Sequence, residues 1–296
     1  MMQRWKRWSW RQRLAWLVVA AFLTVCVDGF YVEPARLVER DYTLSLSNWP
    51  ASCDGLRVDV VSDTHTGSPR NGLDKLDRMV ARLIASDADI VLMTGDYVIL
   101  SVLAGTYIPA ETIAEHLKPL AARKQVYAVL GNHDWWKNGP LVSRAFAGAG
   151  VHMIDNMALP IDAAACHFWL AGLGDLLEGR PDVRATFAMI PPDAQVIVIT
   201  HEPALWPRIP AQATLTIAGH THGGQINPFG ILTPSKYAPY SNLLKGAYVI
   251  GERSLFVSPG IGTSILPMRL GVPPEISRLA LRSASLRANV DEFPGR

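Results

Sequence analysis

The stretch ATLTIAGHTHGGQ, residues 213–225, decides how the rest of the chain is read. Its first half has the β-branched, apolar content of a buried strand. Its second half turns on glycine and presents two histidines one residue apart. Side chains two positions apart in extended backbone point to the same side, so His220 and His222 face one space. Four apolar runs upstream end in the same kind of residue. LRVDVVSD (56–63) leads into Asp63-Thr64-His65, and DIVLMTGD (89–96) ends on Gly95-Asp96. QVYAVLGNHD (125–134) ends on Gly131-Asn132-His133-Asp134, and QVIVITHEP (195–203) carries His201. Singly, several of these have ordinary explanations. Asp63 suits a turn or helix cap, Gly95-Asp96 is a turn dipeptide, and His201 suits a hydrogen-bonded strand end. Five such endings in succession are not explained that way. Loops at the carboxyl ends of the strands of an open α/β sheet converge on one crevice, and glycine lets the backbone turn sharply and approach an ion.

Aspartate, asparagine and imidazole together suit divalent manganese, zinc or iron. With Asp96 shared, the residues divide into two half-sites, the arrangement of a two-metal hydrolase with ions ~3.5–4 Å apart. One half-site takes Asp63, His65, Asp96 and His222; the other takes Asp96, Asn132, His201 and His220. The neutral amide of Asn132 keeps negative charge from accumulating beside an anionic substrate. His133 is not needed as a ligand. It is free to give a proton to a leaving oxygen, with Asp134 orienting its ring, or to brace the ligands from behind. Asn132 and His133 are also the expected substrate contacts. Trp135 and Trp136 follow this loop, and Tyr237 and Tyr240 lie in the Pro/Gly-rich stretch 226–240; these four either line the mouth or pack. Gly172-Leu173-Gly174-Asp175 either borders the pocket or is a plain turn, and Arg269 is a phosphate-binding candidate. His116, His152 and His167 lie off the pattern and read as structural.

The ordered pattern D-x-H, G-D, G-N-H-D, H and G-H-x-H, spread over residues 63–222, resembles the calcineurin-like metallophosphoesterases. That resemblance implies a four-layer αββα sandwich with mixed sheets, two divalent metal ions and phosphoester hydrolysis by in-line attack of activated water. GHTHGGQ (219–225), GDYV (95–98) and SPGIGTSILPMRLGVPPEISRLAL (258–281) look like the membrane-associated bacterial phosphodiesterase branch. That branch includes UDP-2,3-diacylglucosamine hydrolases of lipid A synthesis. The implied substrate is a phosphodiester or lipid-linked phosphate. A broad phosphomonoesterase and a catalytically silent metal-binding protein are the alternatives.

The rest of the chain fits an α/β layered domain. Gly72 to Ile84 has helical spacing through Leu73, Leu76, Val80 and Leu83, residues 109–118 suit a helix, and 142–150 a helix closing on glycine. HFWLAGLGD (167–175), SLFVSPGIG (254–262) and PEISRLALR (274–282) add strands, so the sheet is mixed. Of 296 residues, 49% are hydrophobic and 18% charged, enough for a large core and unlike a disordered chain. The formal charge is +2, but the first thirteen residues hold five positives and no acid, leaving 23 positives against 26 acids beyond them. Such a body lacks the basic face of a nucleic-acid binder.

That basic, tryptophan-rich start precedes LAWLVVAAFLTVCV (14–27), a pattern of signal sequence or anchor. Fourteen residues fall short of the ~20 that cross a bilayer. The reading is an uncleaved inner-membrane anchor through residues 14–27 with the catalytic body outside the cytoplasm; a helix lying on the cytoplasmic face is the competitor. Residues 1–40 then form the anchor segment, 41–282 the catalytic domain and 283–296 a polar tail. Three cysteines do not make a disulfide scaffold. Cys53 and Cys166 are expected as buried thiols, with a bridge between them the alternative outside the cytoplasm.

Overall fold

In the computed structural model, residues 8–228 and 243–284 are described. In chain order the elements are α1 (Trp10–Val27), β1 (Val38–Leu46), β2 (Leu56–Val61), α2 (Leu73–Ala85), β3 (Ile90–Met93), α3 (Ala110–Ala121), β4 (Gln125–Ala128) and α4 (Asn132–Gly148). There follow β5 (His152–Met153), β6 (Met157–Ala163), β7 (Cys166–Gly172), α5 (Val183–Ala188), β8 (Val196–Ile199), β9 (Ala213–Ala218), β10 (Gly246–Ile250), β11 (Arg253–Val257) and β12 (Glu275–Ser283).

The strands form two six-stranded sheets, ordered β1-β12-β2-β3-β4-β5 and β10-β11-β9-β8-β7-β6. In the first, β2 to β5 run parallel while β12 enters antiparallel to β2 and parallel to β1. In the second, β7, β8, β9 and β11 run parallel, flanked by antiparallel β6 and β10. In the second sheet the antiparallel strands β6 and β10 are hairpin partners at the edges, whereas in the first β12 enters between β1 and β2 from far along the chain.

Period-two alternation divides each strand between two cores. Val58, Val60, Ile90 and Leu92 meet Leu170, Ile197, Ile199 and Ile217 between the sheets. Val61, Val91, Met93 and Ala128 face the other way, into the buried stripes of α2, α3 and α4. Beyond the second sheet, Val196, Val198, Leu205 and Trp206 form a third core against which Val183 and Phe187 of α5 pack. The result is the αββα order of layers. Strands buried on both faces carry the near-continuous apolar runs that made them legible.

Three elements differ from the sequence expectations. β1 is an edge strand whose Glu39, Arg40 and Asp41 are exposed, so it carries no apolar run. SLFVSPGIG and PEISRLALR supply strands as expected, but to two sheets and not one: β11 joins the second and β12 the first. Asn132, His133 and Asp134 open a helix rather than a loop, and α4 reaches Gly148 through a break at Asn138. Pro140 cannot continue a helical hydrogen-bond ladder, and the Asn138 side chain accepts from Leu141 N at 3.1 Å to restart it.

The apolar N-terminal helix is longer than its uninterrupted apolar run. Ser9 caps α1, and the helix continues through a wider turn over Asp28–Val32, giving 23 residues from Trp10 to Val32. At 1.5 Å per residue that is about 34 Å, against a hydrocarbon core of ~30 Å. No residue of α1 is buried. Its foot is held to the domain: Glu33 accepts from Gly271 N and Val272 N at 2.9 and 2.5 Å.

The expectation of buried thiols at Cys53 and Cys166 is corrected, because the two form a disulfide with Cα atoms 4.4 Å apart. The turn at Ala51–Cys53, fixed by Trp49 Nε1 donating to Cys53 O at 2.9 Å, sets Cys53 against the start of β7. The bridge ties the amino ends of β2 and β7, and so the two sheets. Cys26 is free.

Candidate metal centre

At the opposite, carboxyl ends of the strands the loops are stitched to one another through backbone. Asp63 N donates to Gly95 O and His65 N to Asp96 O, both at 2.9 Å. Gly219 N donates to His201 O at 2.9 Å, and Gly262 N to Asp63 O at 2.6 Å. Two glycines are required by close approach. A Cβ at Gly219 would lie 1.8 Å from Ser62 Oγ, and one at Gly131 would lie 2.3 Å from Asp96 Oδ1.

Asp63, His65, Asp96, His220 and His222 all have left-handed backbone, with φ of 48°, 38°, 59°, 68° and 52°. For residues with a Cβ each such position costs on the order of 1–3 kcal/mol and persists only where surroundings enforce it. The enforced conformations aim the side chains inward. Asp63, His65 and His222 offer ligand atoms within 4.8 Å of one another, as do Asp96, His201 and His220. Asn132 Oδ1 lies 3.1 Å from both His201 Nε2 and His220 Nδ1. Asp96 Oδ2 stands between the groups, 3.4 Å from His65 Nε2 and 3.3 Å from His201 Nε2. The seven residues expected as ligands therefore meet in one place, and His133 forms a third such group with His65 and Asp96.

The donor set fits cations. His65 Nδ1 lies 3.3 Å from Val98 O and His201 Nδ1 2.7 Å from Thr94 O. A carbonyl only accepts, so those nitrogens carry a proton and each Nε2 is the atom that faces the centre. There His65 Nε2 meets His222 Nε2 at 3.1 Å, and His201 Nε2 meets His220 Nδ1 at 3.1 Å. Nitrogens facing at that distance need a proton or a cation between them. Burial pushes His65 down to about 3, His220 down to about 4, and His222 well below the ordinary imidazole value. These three are therefore neutral, as ligands must be.

The carboxylates behave differently. Burial raises Asp63 to about 6, with nearby His201 opposing the shift and Asp96 adding to it. Burial also opposes the charge of Asp96, but His201, then His65 and His133, outweigh it and hold this carboxyl well below the usual range. His201 itself is held up by Asp96 and Asp63 against its burial. Without an ion, one proton is thus shared around Asp96, and a divalent cation would displace it.

His133 is buried edge-on to His65, with ring centroids 4.7 Å apart, and its Nδ1 has no hydrogen-bond partner. Asp134, expected to orient that ring, does not reach it. Its carboxylate accepts from the backbone N–H of Asp96, Tyr97, Val98 and Gly131 at 2.8–3.1 Å. In the first turn of α4 the side chain folds back on the helix's own start and clamps the loop that carries Asp96. Burial, with Asp96 nearby, pushes its carboxyl up to about 7 even so.

Trp136 lies at the mouth, its ring 5.2 Å from that of His133 and its Nε1 donating to Glu178 at 2.9 Å. Trp135 packs inward against the first core. Tyr237 and Tyr240 lie outside the described residues. Asp175 is buried close to His220, with Glu202 beside it, so the Gly172–Asp175 segment does border the centre. Arg269 is corrected as a phosphate contact: it is fully buried and donates to the carbonyls of Pro259, Gly262 and Val272 at 2.8–3.0 Å. His116 and His167 pair with Asp77 and Asp162, and His152 stacks on Tyr127, all apart from the centre.

Sequence reading missed Ser62, whose hydroxyl donates to Asp63 at 2.5 Å, and Glu202, next to His201. Glu202 had a signal, as a carboxylate directly after a strand-terminal histidine. Ser62 had none, since serine before aspartate is common in turns.

The family model described as calcineurin-like phosphoesterase matches residues 56–224. The chain belongs to that family. As a calcineurin-like phosphoesterase it is a metal-dependent phosphoester hydrolase, of a family that uses a dinuclear divalent centre. It is 30% identical over 263 residues to an uncharacterized metallophosphoesterase, YkuE, of Bacillus subtilis (strain 168), covering 86% of this chain and 89% of that one. It is 28% identical over 220 residues to the phosphodiesterase YaeI of Escherichia coli (strain K12), covering 71% and 76%. It is also 28% identical over 297 residues to a Danio rerio transmembrane protein with metallophosphoesterase domain, covering 93% of this chain and 64% of that one. The chain spans about half the length of several solved nucleotidase structures, with which it aligns at 11–13% identity and TM-scores of 0.42–0.47.

Proposed function

We propose that this phosphoesterase is a membrane-tethered phosphodiesterase whose catalytic domain, Val38–Ser283, lies outside the cytoplasm and acts on a lipid-linked or nucleotide-containing phosphodiester. The observation that carries the two-metal reading is Asp96 Oδ2, placed between His65 and His201 at 3.4 and 3.3 Å. One ion would be held by Asp63, His65, Asp96 and His222, the other by Asp96, Asn132, His201 and His220. Manganese, zinc and iron all suit this mixed set. Two such ions supply Lewis acidity to the phosphoryl oxygens and a water nucleophile at neutral pH.

The chain's own groups do the rest. Asn132 offers a neutral amide beside the anionic phosphate. His133 is assigned to the leaving oxygen. Burial lowers its pKa, and an anionic phosphate beside it would raise its proton affinity again. Asp134 acts through the backbone, fixing Asp96 and the start of α4. The diesterase reading draws on YaeI, the tether on the 23-residue apolar helix and on the transmembrane relatives. Sidedness rests on two features. Basic residues before α1 favour the cytoplasmic side, and the Cys53–Cys166 bridge suits an oxidising compartment. An outward domain could not reach UDP-2,3-diacylglucosamine confined to the cytoplasmic leaflet, so a lipid-linked phosphodiester of the outer surface is the better fit.

The test is hydrolysis of bis-p-nitrophenyl phosphate by the full chain in detergent, first metal-free and then with manganese or zinc. Turnover should require metal. Asp96→Ala should lose bound metal and at least about a thousandfold in rate, ~4 kcal/mol in the barrier. Faster release from mono-p-nitrophenyl phosphate would favour the phosphomonoesterase alternative. Metal bound without turnover of either ester would overturn the general diesterase reading.

A further inference from the structure

Leu100 and Leu103, on the loop after β3, and Ile265, on the loop after β11, are large aliphatic side chains left in solvent, Leu103 at 66% and Ile265 at 76% exposure. The two loops form one surface. Val102 and Ile265 make an isolated parallel bridge, and Leu103 N donates to Ile265 O at 2.9 Å. Contiguous exposed aliphatics mark a lipid or protein contact more often than an accident of packing.

Both loops are rooted in the metal centre. The carbonyl of Val98, which receives His65 Nδ1, is two residues from Leu100. Gln225, three residues after His222, donates to the carbonyls of Ser264 and Leu266 at 3.2 and 2.9 Å and accepts from Ser264 N at 2.8 Å, bracketing Ile265. Both loops are equally tied to the foot of the anchor helix. Arg269 N donates to Gly29 O at 2.9 Å. Thr106 N donates to Gly67 O at 2.9 Å, and Arg70 on that same turn lies over the Tyr31 ring at 6.0 Å. An aromatic ring with a cation beside it, at the end of an apolar helix, is the pairing found at head-group level.

We propose that Leu100, Leu103 and Ile265 are a second membrane contact, dipping into the lipid surface beside α1 and holding the His65–His222 side of the centre at the head groups. This rests on the reading of α1 as an anchor. The occupant is lipid because both loops are linked to the foot of a helix of bilayer-spanning length whose first eighteen residues, Trp10–Val27, are all unburied. One helix alone would let the domain swing. A second contact fixes its orientation, so a phosphoester carried by a lipid reaches the centre without leaving the bilayer.

The test uses full-length Cys26→Ser protein in vesicles of phosphatidylethanolamine and phosphatidylglycerol, with an environment-sensitive fluorophore on single introduced cysteines and a quencher on the acyl chains. The sites are Leu103→Cys and Ile265→Cys, with Leu17→Cys on α1 as the inserted control. Met189→Cys, just past α5, is the solvent control. Retained turnover of bis-p-nitrophenyl phosphate shows that each labelled variant is folded. Quenching at 103 and 265 should exceed that at 189 by at least ~2-fold, as for side chains seated in the interface. Quenching equal to that at 189, with Leu17→Cys quenched, overturns the second contact and leaves the anchor standing. An unquenched Leu17→Cys overturns the anchor, and this proposal with it. Leu103→Asp with Ile265→Asp should then slow hydrolysis of a vesicle-borne phosphodiester and leave the soluble diester unchanged; equal rates on both would count against the contact.

Discussion

The two ends of the sandwich are built on opposite plans. At the amino ends of β2 and β7 the sheets are joined covalently by Cys53–Cys166, beside Trp49 and Phe168 with ring centroids 6.0 Å apart. At the carboxyl ends, five ligand residues hold left-handed backbone, and buried imidazoles and carboxylates face one another. One end holds the sheets together; the other is kept under strain and unbalanced charge by what surrounds it. The comparison teaches that the centre's geometry is imposed by the scaffold, not chosen by its own residues, and that the scaffold's firmest tie lies as far from the chemistry as the strands allow.

The comparison is broken most severely at the disulfide. Cys53→Ser with Cys166→Ser opens a loop closed over 113 residues, worth about 5 kcal/mol by chain entropy. Denaturant midpoints should fall sharply while the variant, still folded at low temperature, keeps its metal-dependent rate. A rate loss matching the stability loss would show that the two ends are not independent. Next, His133→Ala should cost about a hundredfold to a thousandfold in kcat, ~3–4 kcal/mol, with bound metal unchanged. Metal analysis beside kinetics separates it from a ligand. Asp134→Asn sets an amide donor against backbone N–H groups and removes the charge they share, costing about 2–3 kcal/mol. It should lower metal affinity and stability together, because the residue holds the loop and not the His133 ring.

A pH-dependent effect concerns Lys75 on α2, which donates to Pro34 O and Ile261 O at 2.7 and 3.4 Å behind the catalytic loops. Burial, with Arg269 nearby, pushes its ammonium from 10.5 down to about 6. Below that value both folded and unfolded chains carry the proton, and stability does not depend on it. Between about 6 and about 10 the unfolded chain holds a proton that the folded one does not, so stability rises with pH and then levels off. Lys75→Met should flatten that rise, read as urea midpoints across the window. An unchanged slope would assign the dependence to the centre's own groups.

Much of this was legible beforehand for a physical reason. Strands buried on both faces must be continuously apolar, and ligands must sit where those strands stop, so β2, β3, β4, β8 and β9 each announced both a place and a residue. Asp96 drew attention as the residue that could serve both half-sites, and its carboxylate does stand between His65 and His201. What was hidden depended on partners distant in sequence. β1 is charged because only one face is covered. Nothing near Arg269 reveals that backbone carbonyls will enclose it. Asp134 looked like a partner for the neighbouring histidine, whereas helix-start geometry turns it toward Asp96. The disulfide was undecidable by spacing, since it depends on a turn fixed by Trp49.

The position of β12 has a consequence for how the centre is completed. It lies between β1 and β2, pairing with both along their length, yet among the described residues it is the strand furthest along the chain. Without residues 275–283, β1, which follows α1, lacks the strand it pairs with, and the first sheet stands open beside β2. The loop bearing Arg269, Gly262 and Ile261, which backs Asp63 and His65, is threaded on the way to that same strand. A chain interrupted between His222 and Gly260 would carry every ligand residue and still lack the wall behind half of them. Half of the centre therefore depends on a segment that carries none of its ligand residues.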